Sequence, residues 1–185
     1  YVIESQGYEI GTGENQINLR TDVAFDLTAS VWQNDATVKY CTLFEPTATN
    51  VVNAVPGSQI VTSVGELSGS IPYTCFIARE NYLSEHSDVA EKFLKAVKKA
   101  YNYIVTNDSY AVAQSLLPSF DGNTVTELQI AVEQYIKINA WSSSMAMTSE
   151  SFDNLMNVML NADIITEKSA YVDVVDNTII NKLNT

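Results

Sequence analysis

The chain has 185 residues and a hydrophobic share of 46%, enough for one domain or two small ones around an ordinary core. Its 7 Gly and 4 Pro are about half the usual share, which excludes collagen-like sequence and long disorder. With 22 acidic residues against 10 basic ones the net charge is −12, a surface that repels phosphate backbones and argues against nucleic-acid binding, and no apolar run approaches the ~20 residues of a membrane span.

The first half reads as short strands alternating with helices. Val2 to Gly7 looks like a helix tail closed by Gly, and Ile17 to Arg20 like a short strand. Asp22 to Trp32 carries Val23, Leu27 and Val31 at four-residue steps, a helical face that Asp22 can cap. Val38 to Phe44 is rich in β-formers and predicts a buried strand. Glu45-Pro46 breaks it, and Pro46 suits the start of a helix over Thr47 to Val55 that ends at Pro56-Gly57. Ser58 to Val64 and Pro72 to Ala78 predict two further strands, separated by a Gly/Ser-rich loop over Gly65 to Ser70.

The second half reads as helical. Ser87 to Val105 places Ala90, Phe93, Leu94, Val97, Tyr101 and Ile104 on one face, with Lys92, Lys95, Lys98 and Lys99 off it as a solvated flank. Tyr110 to Leu117 is a shorter helix closed by Pro118. Asn123 to Asn139 opens with the capping box Thr124-x-x-Glu127. Ser149 to Leu160 sets Phe152, Leu155, Met156 and Met159 at helical steps, a core stripe. Residues 161–176 connect it to a last helical turn over Thr178 to Leu183. Trp32 and Trp141 read as core. The change from mixed elements to helices alone falls near Arg79, which predicts an α/β lobe over 1–79 and a helical segment over 80–185.

Little in the sequence calls for catalysis. Cys41 and Cys75 each lie in a strand-like apolar run, as buried small hydrophobes or as one disulfide across adjacent strands if the protein works outside the cytoplasm. There is no Cys/His cluster for zinc, no P-loop, no GxGxxG and no HExxH. Gly11-Thr12-Gly13 lacks the flanking strand and helix of a phosphate cradle and reads as a turn. The one histidine, His86, sits in a polar stretch before a helix, so a triad or a Cys/His pair would have to rest on an exposed residue. Neither a cofactor nor a metal is predicted.

The stretch Tyr40-Cys-Thr-Leu-Phe-Glu-Pro-Thr-Ala48 resembles the strand-to-helix segment of ABC-transporter solute-binding proteins of the nitrate, sulfonate, taurine and thiamine-precursor group. The order that follows is similar to the same family: Ser63-Val-Gly-Glu-Leu67, then Ile71-Pro-Tyr-Thr-Cys-Phe-Ile-Ala-Arg79, then Tyr82 to Val89 leading a helix, and later Ser151-Phe152 and Tyr171 to Asp176. Lys39-Tyr40 stand where the family usually carries an acidic residue. The resemblance implies an α/β fold of the type II periplasmic-binding-protein kind. It also implies that the chain begins inside the second lobe, with residues 80–185 packing on a first lobe that precedes Tyr1.

That fold places ligands beyond the carboxyl ends of strands, in a cleft between two hinged lobes. The resemblance therefore points to Glu45 as an acceptor for a ligand amine or amide and to Thr47 in the first turn of the next helix. Phe44 and Tyr73 become walls for the ligand, and Glu66 a rim residue. Each has a plainer reading: Phe44 as core, Glu45 as a brace of its own turn, Tyr73 as hinge packing. The implied function is a non-enzymatic receptor for a small organic solute, outside the cytoplasm. Its partner is a transporter permease, and it touches the membrane only through a lipid anchor before Tyr1. The alternatives are a pyrimidine-precursor synthase of the same fold and a ligand-sensing regulatory domain.

Overall fold

The computed structural model describes residues 1–141 and 144–184. Eleven α-helices are defined among them. Helix α1 spans Val2–Ser5, α2 Thr28–Asn34, α3 Thr47–Ala54 and α4 Val64–Leu67. Helix α5 spans Glu80–Glu85, α6 Ser87–Thr106, α7 Ser109–Leu116 and α8 Val125–Lys137. Helix α9 spans Ser149–Asn161, α10 Tyr171–Val174 and α11 Thr178–Leu183. The expected segment 80–185 includes Ser142, Ser143 and Thr185, which lie outside the described residues.

The long helices fall where periodicity and capping place them. In α8, the Glu127 N–H donates to Thr124 Oγ1 (3.3 Å) and the Thr124 N–H donates to Glu127 Oε2 (2.7 Å), a closed capping box. That hydrogen bond from the Thr124 backbone, with a second from its hydroxyl, holds the Glu127 carboxyl below its ordinary pKa. Because the folded-state value is depressed, this contribution is fully present above the unfolded-state pKa of about 4.3 and is lost as pH falls through the folded value. Thr124→Ala removes the hydroxyl but keeps the backbone N–H, so it is expected to raise the Glu127 pKa part of the way towards the ordinary carboxylate range, read by carboxyl NMR titration. An unchanged midpoint would show that the box does not form in solution.

The lysine flank of α6 is a set of local partners. Lys92 pairs with Asp88 (2.9 Å) and Lys95 with Glu91 (2.5 Å), both at i,i+4 on exposed surface. Lys98 instead donates to the Leu183 carbonyl and to Asn184 Oδ1 (3.0 Å) at the carboxyl end of α11, where a cation meets open carbonyls. His86 is exposed at the joint between α5 and α6, its ring beside Tyr82 with centroids 4.7 Å apart.

Among the described residues the strands expected of the α/β lobe are not seen: no strand ladder forms, and a single parallel bridge joins Ile10 to Ile17. The segments 38–44, 58–63 and 71–79 run outside any helix or ladder, and the segment predicted over 17–20 contributes only that bridge. The reason is physical: β-branched and aromatic composition favours a strand, but a strand is stabilised by neighbours that take its backbone N–H and C=O groups and cover its side chains. Here Tyr40, Tyr73, Phe76 and Ile77 are largely exposed, Ile77 at 91%. Within 9–17, Gly13 N–H donates to Gln16 Oε1 (2.9 Å) and a Cβ on Gly11 would meet that atom at 2.2 Å, so the Gly pair is a turn closed over a glutamine.

Three smaller expectations also change. Asp22 does not cap α2; it accepts two hydrogen bonds from Arg20 (2.7 and 2.8 Å), which hold its carboxyl down at about 2. Cys75 is exposed and Cys41 half-buried, both free thiols, and burial pushes the Cys41 thiol up. Trp32 and Trp141 are half-buried, and the Trp32 indole donates to the Lys39 carbonyl (3.1 Å).

The chain forms two compact units. One comprises residues 2–64 and 109–135, the other residues 65–108 and 136–185 with Tyr1. The two units interleave along the chain. The first unit buries Val51 of α3, Val112 and Ala113 of α7, and Leu128, Ala131 and Val132 of α8. The second buries Phe152 and Met156 of α9 and Ile180 of α11. In it Phe152 meets Tyr171 edge-on (5.7 Å), and Tyr171 donates to the Met147 carbonyl (2.6 Å), which also accepts from Asn177 (2.8 Å). Phe76 similarly meets Phe93 of α6 edge-on at 4.7 Å.

Candidate functional site

The strand-to-helix motif sits in the first unit and folds as a tight turn into α3. Glu45 is half-buried, and its backbone N–H donates to the Tyr135 hydroxyl (3.3 Å) at the end of α8. Its carboxylate Oε2 accepts from the Thr49 N–H (3.1 Å). The first turn of a helix exposes N–H groups that need acceptors, and an anionic side chain there is favourable. Glu45 therefore acts as the brace of its own turn, the plainer of its two readings.

The same accounting bears on anion binding. The Ala48 N–H donates to the Phe44 carbonyl (3.0 Å), Thr49 to Glu45, and Asn50 to the Pro46 carbonyl (3.0 Å). Pro46 has no N–H. Of the first-turn donors only the Thr47 N–H stays open, beside a carboxylate already in place, so the turn is a poor anion cradle.

Beside the turn lies an open pocket of about 120 Å³, lined by Phe25, Asp26, Ala29, Leu43, Phe44 and Thr47. Phe25 and Asp26 are in the short 3-10 turn over Phe25–Leu27, Ala29 is in α2, and Thr47 is the first residue of α3. The Phe25 and Phe44 rings lie 4.8 Å apart at 48° and form an aromatic wall, both about half exposed. Thr47 and Asp26 are the polar residues of this lining. Among the described residues Asp26 makes no hydrogen bond or ion pair. The volume is below the ~150 Å³ that a benzene-sized guest fills, so the pocket suits one end of a small molecule.

The structure brings Phe44 and Thr47 together at this pocket and turns Glu45 towards the helix backbone. Glu66, in the first turn of α4, and Tyr73, 79% exposed, belong to the other unit. Sequence reasoning missed Phe25 and Asp26. The available signal was an aromatic beside an acid at the start of the helix that directly precedes the motif strand.

Thr49 is 5% exposed, and its Oγ1, like Asn50 Oδ1, has no hydrogen-bond partner among the described residues. Asn50 does donate to Asn123 Oδ1 (3.1 Å). A buried hydroxyl without a partner costs desolvation, so Thr49→Val is expected to raise stability by about 1 kcal/mol, measured by urea unfolding. A destabilisation of that size would mean that the hydroxyl is hydrogen-bonded in solution.

Among the described residues no group of three or more His, Cys, Asp or Glu side chains is placed to hold a metal, and no helix is long and apolar enough to cross a membrane.

Residues 25–111 match the family model described as "NMT1/THI5 like". The chain is also similar to a protein named "Putative binding protein YtlA" from Bacillus subtilis (strain 168), with 28% identity over 167 residues. That alignment covers 90% of this chain and 49% of the relative, so the chain spans about half the relative's length. No solved structure matches the chain. The two matches bear out the resemblance read from the motif order, and all six pocket residues fall inside the matched segment.

Proposed function

We propose, from the premise that this chain is a relative of the NMT1/THI5-like solute-binding proteins, that it is part of the substrate-binding component of an ABC importer for a small organic solute. The observation that carries the reading is the pocket at the motif turn, where Phe25 and Phe44 make an apolar wall and Asp26 and Thr47 give polar contacts. The resemblance allows sulfonates, taurine, nitrate and pyrimidine thiamine precursors as solute classes. Phe44 and Thr47 contact the solute; Glu45 holds the turn that presents them. Glu66 and Tyr73 are proposed separately, as ligand contacts carried by the other unit.

The reading is non-enzymatic. A synthase would need a convergent acid-base set, and the pocket holds one carboxylate and no histidine. The rest of the proposal is architectural: an α/β lobe over 1–79, a helical segment over 80–185 that packs on another lobe, a permease as partner, and a place outside the cytoplasm with a lipid anchor. Supporting the α/β part are the three β-rich segments without ladder partners.

Titration calorimetry of the intact protein against one member of each solute class tests the reading. Saturable binding without turnover supports it. Chemical conversion of a solute, followed by mass spectrometry, would replace it with the enzyme.

A further inference from the structure

We infer that the pocket at the motif turn selects solutes that carry a cationic amine, and that Asp26 is the residue that does so. This deepens the proposed function and rests on it. Six residues line the pocket, and Asp26 is the ionisable one among them; no Lys, Arg or His is in the lining. Its carboxylate has no partner among the described residues, whereas Glu45, the other acid of the motif, is committed to the Thr49 N–H. A ligand group that meets Asp26 therefore gains an ion pair without displacing a resident cation.

The other walls favour the same chemistry. Two aromatic rings flank the pocket, and an ammonium against a ring face gains a cation–π contact that an anion does not. The Thr47 hydroxyl can accept a hydrogen bond from an ammonium proton. The α3 turn has already spent its first-turn N–H groups apart from that of Thr47, which weakens the usual attraction for sulfonate or nitrate. The pocket has room for an aminomethyl or aminoethyl group. The net charge of −12 draws cations towards the surface over a longer range.

The test uses two matched pairs in which an ammonium is replaced by a hydroxyl. One pair is taurine and isethionate. The other is 4-amino-5-aminomethyl-2-methylpyrimidine and its 5-hydroxymethyl counterpart. Calorimetry on the intact protein is expected to show the amine member of at least one pair binding about fivefold to tenfold tighter, the combined effect of an exposed ion pair and a cation–π contact. In Asp26→Asn that preference is expected to disappear, and in Asp26→Glu to be largely kept. Circular dichroism confirms that the variants fold.

Equal binding within each pair, or a preference that survives in Asp26→Asn, overturns the inference and leaves the proposed function standing. Tight binding of nitrate that exceeds every amine also overturns it alone. Binding of none of these solutes overturns the inference and the proposed function together.

Discussion

Leu128→Ala is expected to lower the stability of the protein by about 3 kcal/mol. Leu128 is 2% exposed in the middle of α8, and it is one of the two largest fully buried side chains, the other being Val112. The other buried apolar residues of this unit, Val51, Val112, Ala113, Ala131 and Val132, are small or β-branched, which limits how far the core can close over the space left behind. The loss combines the transfer free energy of the deleted atoms with the residual cavity. Against a typical total of 5–15 kcal/mol it is a large fraction. Urea unfolding of the intact protein should show a lower midpoint. Val61→Ala, at a residue 66% exposed, should change it by less than about 0.5 kcal/mol. Equal effects at the two positions would mean that the core is not where α7 and α8 place it.

Phe44→Ala is expected to weaken solute binding by about tenfold to a hundredfold while leaving the fold intact. The ring is 44% exposed and faces the Phe25 ring at 4.8 Å, so much of its area is available to a ligand rather than sealed in the core. Removing an aromatic wall of this kind forfeits about 1.5–3 kcal/mol of contact, and each 1.4 kcal/mol is a factor of ten in affinity. Phe44→Tyr keeps the ring and should bind within a fewfold of the parent. Calorimetry gives the affinities, and thermal unfolding shows whether stability is held. A folded Phe44→Ala variant with undiminished affinity would move the binding site away from the motif turn.

What the sequence made legible followed the reach of each signal. Helices α6, α8 and α9 announce themselves through apolar residues at three- and four-residue steps and through Thr124 and Glu127, and these are local properties. The short helices α5 and α10 span six and four residues, too few for a period to show. The segment around Tyr40 to Phe44 has strand composition, but a ladder depends on a partner elsewhere, and composition does not supply one. Asp22 illustrates competition of another kind. It suits an N-cap by position, yet Arg20, two residues away, offers a bidentate partner and takes it. Phe44 and Thr47 were found through the resemblance, and both line the pocket. Phe25 and Asp26 were not, because their place at the pocket depends on the Phe25–Leu27 turn coming beside Phe44. No spacing within the chain expresses that.

The state of the two thiols gives the molecule a built-in reporter. Cys75 is exposed in the middle of the 71–79 segment, while Cys41 is half-buried and held protonated to higher pH by that burial. A thiol-reactive dye at neutral pH will therefore mark Cys75 first, since reaction needs both access and thiolate. The label then sits beside Phe76 and Ile77, the side chains that any strand partner would have to cover. Its colour and quenching would follow the moment at which that segment stops facing water.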